Sequence, residues 1–403
     1  MYADDVILMA INSHAQMQGL LDALHLFCRL FGMRVNIKKT KIILFTPMGK
    51  ALSRELAGKV WLYDGLPVNI VEEEKYLGMI FNGHEGPLHA ASKRAKAGSG
   101  AMHGMLAKCL ETRLSRPDIV CSLFDKLVVP VLSYGCQVWG PYMASRWIKD
   151  PLNKQNDPGK VHCDFLRQVS GMPKFAHKAS LYKEMGREPL MLQWLILSAR
   201  MWNSMCARDS GAIMYMAFAD NLELMLKKCR SCWSYHFLKA MHTIGVLKHQ
   251  VWNYSLDSIE AVMELHFEEA NVREAAMAFF DRHWEICTDE VDPRQAPSNK
   301  VTCSTYLQWV GIPGHRGGAR HMRCCMPRQL RKDLMAIKLG CHQLNIQALR
   351  MGKTKTPRHD RLCPLCQEPG MVEDLQHFML DCGFYSGIRA KHKNLFDALR
   401  ARG

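Results

Sequence analysis

Tyr2-Ala3-Asp4-Asp5, running straight into Val6-Ile7-Leu8-Met9, is the stretch on which the reading of this sequence turns. Two adjacent carboxylates follow an aromatic–small pair and precede an apolar run of the length of a buried strand. Neighbours on a straight strand point to opposite faces, whereas at a hairpin tip both reach one point. Carboxylates held that close repel each other unless a cation lies between them. Mg²⁺ accepts one or two carboxylates plus substrate phosphates, and a pair of such ions holds the attacking and leaving oxygens in phosphoryl transfer. Asp-Asp is also an ordinary turn pair, so the chemistry depends on what surrounds it.

Outward from the pair, Met17, Leu20, Leu21, Leu24, Phe27, Leu30 and Phe31 recur at helical spacing over His14 to Phe31, and Gly32 stops that helix. A basic loop, Asn36-Ile37-Lys38-Lys39-Thr40-Lys41, leads to a strand, Ile42-Ile43-Leu44-Phe45, ended by Pro47. Asp64-Gly65 marks a hairpin between Trp61-Leu62-Tyr63 and Val68-Asn69-Ile70, and Tyr76-Leu77-Gly78-Met79-Ile80-Phe81 reads as one further strand. Beyond about residue 88 helical patterns dominate, with breaks at Asn153–Gly159, Asp292–Asn299 and Lys353–Arg361. The expected fold class is α+β.

These segments resemble, in order and distance, those of reverse transcriptases. Tyr2-Ala3-Asp4-Asp5 is similar to the catalytic tetrapeptide. Gly32-Met33-Arg34-Val35-Asn36-Ile37-Lys38-Lys39-Thr40-Lys41 is similar to the family's Gly-Leu-x-Val-Asn-x-x-Lys-Thr-Lys, and Lys75 to Phe81 to its Tyr-Leu-Gly strand beside the primer. Pro130-Val131-Leu132-Ser133-Tyr134-Gly135-Cys136-Gln137-Val138-Trp139 looks like a segment of the non-LTR (LINE-type) retrotransposon enzymes, as do Phe165-Leu166-Arg167, Gly186-Arg187-Glu188-Pro189-Leu190 and Lys338-Leu339-Gly340-Cys341-His342-Gln343-Leu344. The likeness is patchy between about residues 200 and 330. It implies a partial palm over 1–83, a helical thumb over 84–152, a helical connector over 160–291, a basic helical segment over 300–352, and a knuckle and tail over 356–403.

By the same resemblance, Asp4 and Asp5 hold Mg²⁺ (or Mn²⁺), Lys39 or Lys41 faces the incoming triphosphate as charge stabiliser or acid, and Tyr76, Leu77 and Gly78 support the primer terminus. The partners implied are an RNA template and target DNA. The intact family site takes one more Asp from an earlier palm strand, and nothing precedes Met1 to supply it. The expectation is therefore weak Mg²⁺ binding, a first strand short of sheet neighbours, and a C-terminal fragment without polymerase activity of its own.

Cys363-Pro364-Leu365-Cys366 with His377 and Cys382 gives C-x2-C-x10-H-x4-C. Four soft or borderline ligands suit closed tetrahedral Zn²⁺, and in so small a unit the metal supplies much of the folding energy. Glu373 to Cys382 also resembles the C-terminal Cys-Cys-His-Cys knuckle of LINE-type enzymes. Lys353, Lys355, Arg358, His359 and Arg361 before it and Lys391, His392 and Lys393 after it suit phosphate contacts. Cys229, Cys232 and His236, and the set Cys303, His315, His321 and Cys324, have permissive spacing but read better as thiols and histidines of the fold. Arg316 to Lys332 carries six Lys and Arg and no acid, fitting a nucleic-acid-facing or plainly exposed loop.

The bulk properties agree. Among 403 residues, 53 Lys and Arg outweigh 38 Asp and Glu by +15, which favours a polyanion through counterion release. The 16 cysteines come with no signal segment and no apolar run of the ~20 residues that a membrane helix needs. That points to a reducing, intracellular setting, nucleus or cytoplasm, with no membrane partner. Two functions stand: part of an RNA-directed DNA polymerase, or a non-catalytic zinc-dependent RNA- or DNA-binding protein.

Overall fold

The computed structural model describes residues 5–11, 13–46, 56–150, 157–248, 258–289, 320–324, 326–351, 356–366 and 368–400. Helix α1 (His14–Leu30) starts where Ser13 Oγ accepts from the Gln16 N–H at 3.2 Å and ends where Gly32, at φ 66°, turns the chain out. Strands β1 (Lys41–Ile43) and β4 (Asn69–Val71) pair in parallel, with Ile42 opposite Ile70. Between them, β2 (Leu62–Tyr63) and β3 (Leu66–Pro67) form a hairpin about Asp64 and Gly65, at φ 50° and 74°. That is the two-residue turn expected of an Asp-Gly pair. The edge of this hairpin is closed by a side chain. Gln18 on α1 accepts from the Leu62 N–H at 3.0 Å and donates to the Leu62 carbonyl at 2.8 Å. Leu21, Ile42, Trp61, Tyr63 and Val68 bury one another beneath it.

Two expectations are corrected here. Tyr76 to Phe81 is not one strand: β5 (Glu73–Tyr76) and β6 (Met79–Asn82) pair antiparallel, and the chain reverses at Leu77 and Gly78. Both turn residues have left-handed φ, 45° and 80°. Gly78 takes that conformation freely, whereas Leu77 does so only against strain. Val6 to Met9 is not a buried strand either. Val6 is 41% exposed, Ile7 49% and Met9 81%, and among the described residues no sheet ladder covers them; Leu8 alone packs on the small core. Among the described residues the strands form three separate two-stranded ladders, not one sheet.

The α+β reading holds, with short strands up to Asn82 and helices beyond. The helices are α2 (Pro87–Glu111), α3 (Pro117–Leu127), α4 (Val129–Leu132), α5 (Cys136–Trp147), α6 (Asp157–Ser170), α7 (Lys178–Met185), α8 (Leu190–Cys206), α9 (Ile213–Leu226) and α10 (Trp233–Ile244). They share one core with the later helices Glu269–Asp289 and Arg328–Lys338. Phe124, Trp139, Phe165, Trp194, Trp202, Phe237 and Met335 are its fully buried centre, and Trp139 meets Trp194 edge-on at 4.7 Å. The Asn153–Gly159 break is shorter than expected, because α6 begins at Asp157; the Asp292–Asn299 break lies outside the described residues. Among the described residues no single helix is long and apolar enough to cross a membrane, and the one apolar pair, Pro117–Leu132 with Cys136–Trp147, is bent by 93°.

Candidate metal centre and nucleic-acid-facing residues

The expected Cys-Cys-His-Cys set is brought together. Its limbs come from a short antiparallel ladder in which the Cys363 N–H donates to Met371 O and the Glu373 N–H to Arg361 O, both at 2.9 Å. Cys363 and Cys366 lie on the first limb, and a tight helical turn, His377–Asp381, carries His377 and delivers Cys382. The four ligand atoms all lie within 4.8 Å of one another. Cys363 Sγ is 3.9 Å from Cys382 Sγ, and Cys366 Sγ is 3.4 Å from His377 Nε2. Thiolates on one tetrahedral Zn²⁺ stand about 3.8 Å apart, close to the Cys363–Cys382 separation, so the set can hold zinc. Burial alone raises the Cys363 thiol, but the backbone N–H groups of Cys366 and Leu365, then His377, outweigh it and hold it down at about 7. A thiolate is thereby favoured at the metal position.

The centre is braced against the helix Asn345–Met351. Buried Glu373 accepts from the Asn345 N–H at 2.7 Å through its carboxylate and from the Ile346 N–H at 3.2 Å through its carbonyl. Arg361 donates to Thr356 O at 2.8 and 2.9 Å and to Ile346 O at 3.0 Å. Its guanidinium therefore cross-links the fold. Of the other basic residues expected here, Arg358 is exposed and pairs with Asp374 at 3.2 Å. His359, Lys391, His392 and Lys393 are exposed, and Lys353 and Lys355 lie outside the described residues.

At the other end, Asp5 is exposed and Asp4 lies outside the described residues. The basic loop is a turn built by its own polar residues. The Asn36 carbonyl accepts from Lys39 N, Thr40 N and Thr40 Oγ1 at 2.9 to 3.0 Å, and Asn36 Oδ1 accepts again from Lys39 N at 3.2 Å. This leaves Lys39 pointing outward and exposed, while Lys41, opening β1, is half-buried. Asn36 and Thr40 are thus turn formers, and the lysines are what the turn presents.

A contact that sequence reasoning missed joins two of the resembling segments. Tyr134 Oη donates to the Leu77 carbonyl at 2.5 Å, and the Tyr134 ring lies so close over Gly78 that a Cβ there would meet it at 3.1 Å. Gly135, at φ 69°, leaves room for Met79, whose sulfur a Cβ would strike. Arg94 of α2 lies 4.6 Å over the same Tyr134 ring, and Glu73 ties β5 to α2 through Lys93 at 2.8 Å and His89 at 2.7 Å. The turn at Leu77 and Gly78 is therefore fixed on the helical body. Tyr76 is half-buried, and Leu77, 42% exposed, is presented outward. The sequence signal was that Tyr134-Gly135 and Tyr76-Leu77-Gly78 each lie in a segment of the same family likeness.

The weaker Cys and His groupings serve the fold. His236 Nδ1 sits 2.6 Å from Ser145 Oγ, and the Cys232 thiol donates to Cys229 O at 3.0 Å. Buried His321 lies 3.8 Å from Glu184, which Lys338 also pairs at 3.0 Å, while Cys303 and His315 lie outside the described residues. Within the basic run, Arg331 is buried and donates to Ser115 O and Met326 O, whereas Arg328 and Lys332 are exposed.

No protein-family model matches the chain, and no solved structure matches it. Over 143 residues, 34% of its length, the chain is 29% identical to a transposon-derived protein of Caenorhabditis elegans, and it spans about half of that relative, 47%.

Proposed function

We propose that the chain carries the part of a LINE-type reverse transcriptase that runs from the catalytic aspartate pair, through the primer-facing turn and the thumb, to a zinc knuckle. In this reading Asp4 and Asp5 are metal-side carboxylates. Lys39 and Lys41 neutralise the triphosphate. Tyr76, Leu77 and Gly78 meet the primer strand, and the knuckle with Arg358 grips RNA template or target DNA. The observation that carries the reading is the contact of Tyr134 and Gly135 with Leu77 to Met79. Two segments chosen for their likeness to one enzyme family, far apart in sequence, lock together through the residues that make the likeness. Transposon-derived ancestry of a relative and the gathered zinc ligands agree with it.

The chemistry asked of the site is nucleotidyl transfer. Asp4 and Asp5 would hold the metal ions, which when bound would lower the pKa of a primer hydroxyl and neutralise phosphate charge, while the chain's own lysines hold charge and position. The reading is tested by Fe²⁺ in place of Mg²⁺, with primer–template and nucleotide present. Hydroxyl radicals made at the metal should cut the backbone near Asn36–Lys41 and Tyr76–Gly78, and Asp4→Asn with Asp5→Asn should abolish both cuts. Cuts absent from these segments, or indifferent to the aspartates, refute it.

The second reading, a zinc-dependent RNA- or DNA-binding protein without catalysis, is favoured by one observation: the zinc ligands are fully gathered while Asp5 stands exposed. It predicts nucleic-acid binding that ignores both aspartates and Mg²⁺ and falls when zinc is removed.

A further inference from the structure

Between the turn that follows α6 and the helices Arg328–Lys338 and Asn345–Met351 lie two adjoining pockets of about 390 and 430 Å³. Gly171 and Lys332 line both: Gly171, at φ 73°, lets the Lys332 stem lie against its backbone. The first pocket is floored by Gln347 and walled by His342 and Phe175; the second adds Arg328 and Arg331. No Asp or Glu lines either one.

Three features of this cleft ask for a ligand. Gln347 is only 8% exposed, yet its Oε1 has no hydrogen-bond partner, and His342 Nδ1 is likewise unpartnered among the described residues. Both atoms are closed to solvent, and a donor reaching them after a side-chain rotation would satisfy what burial leaves unsatisfied. Burial pushes His342 down to about 4, so at neutral pH its ring is uncharged and offers one donor and one acceptor edge. Phe175, in the same wall, is 47% exposed, an aromatic face where a planar ring can stack. Lys332 and Arg328 stand exposed at the rim.

A buried amide, a neutral imidazole, an exposed aromatic ring and rim cations with no acid among them match one ligand chemistry. We propose that this cleft holds a single unpaired nucleotide of a nucleic-acid strand. The base edge meets Gln347 and His342, the base stacks on Phe175, and its phosphate lies at Lys332 and Arg328. A base paired in a duplex presents neither its edge nor its face in this way, so the cleft selects single strands. Neither Asp5 nor any of the four Cys and His ligands lines the cleft, and the proposal does not depend on the polymerase reading.

The test uses the full zinc-loaded chain and fluorescence anisotropy with an unstructured RNA of about 12 nucleotides, the DNA of the same sequence, and a blunt RNA duplex of that length. Gln347→Leu and Phe175→Ala should each weaken single-strand binding about tenfold, the usual scale of one stacked or hydrogen-bonded base, with duplex binding unchanged. Phe175→Tyr should restore it. Thermal unfolding of Gln347→Leu should not fall, because the substitution removes an unsatisfied acceptor. RNA and DNA responding alike places recognition in base and phosphate; RNA alone adds the 2′-hydroxyl, and either supports the cleft. Single-strand binding unchanged in Phe175→Ala and Gln347→Leu, or duplex binding falling in step with it, overturns the proposal.

Discussion

His162 gives the sharpest quantitative test of the helical body. It is 1% exposed on α6, stacked on Phe124 at 5.3 Å and edge-on to Tyr182 at 5.0 Å, and neither ring nitrogen has a hydrogen-bond partner. Burial first, then the nearby Arg187 cation, pushes it from 6.5 to about 3. The sign follows from linkage: the unfolded chain binds this proton more readily than the folded one, so stability is full above about pH 6.5 and is lost progressively down to about pH 3. Between about pH 7.5 and about pH 5 the loss is about 2 kcal/mol from this group alone. His162→Phe keeps a stacked ring and removes both orphan nitrogens. It should stabilise the chain by about 1 kcal/mol at neutral pH, and its advantage over the native chain should grow by about 2 kcal/mol as pH falls to about 5. Urea unfolding of the zinc-loaded chain, both proteins at each pH, reads this directly. Other acid-sensitive groups, the zinc ligands included, are common to both and cancel in the difference. An advantage that stays constant with pH would refute the account of His162 as a buried neutral ring.

Two further outcomes follow from the geometry. Stripping zinc, or Cys363→Ser, should abolish hydrogen-exchange protection over about residues 356–390 while α5 and α8 stay protected; uniform protection after chelation would count against the metal's structural role. Gly135→Ala places a Cβ on the Met79 sulfur in a left-handed conformation. It should cost about 1–3 kcal/mol and loosen the β5–β6 hairpin, whereas Tyr134→Phe, losing one hydrogen bond, should cost about 1 kcal/mol. Amide exchange at Glu73–Asn82 compares the two, and equal protection in both variants would break the argument.

What the sequence revealed, and what it hid, depended on how local the cause was. α1 was readable from Met17 to Phe31 because period and stop signal lie within the segment itself. Asp64-Gly65 announced its hairpin because that pair favours the left-handed turn by its own chemistry. The Cys-Cys-His-Cys cluster was readable because ligand sets for a metal keep a tighter spacing than packing imposes. Leu77-Gly78 hid its turn: leucine rarely takes a positive φ, and what holds it there is Tyr134, 57 residues away. Val6 to Met9 read as strand because apolar runs are scored as though a partner sheet exists. Arg361 read as a phosphate contact because composition cannot tell an exposed guanidinium from one that donates to two backbone carbonyls. The cleft over Gln347 was invisible, since its walls come from segments about 170 residues apart.

Glu373 belongs to the ladder that positions the Cys-Cys-His-Cys set, yet its carboxylate fixes the first turn of the helix on which Gln347 stands. Where an ion at the knuckle stiffens that turn, reciprocity applies: whatever factor the ion adds to strand affinity, a bound strand adds to ion affinity. A chelator would meet more resistance in the presence of single-stranded nucleic acid than in its absence, and oxidation of Cys363 would be felt at a surface that contains no sulfur ligand at all.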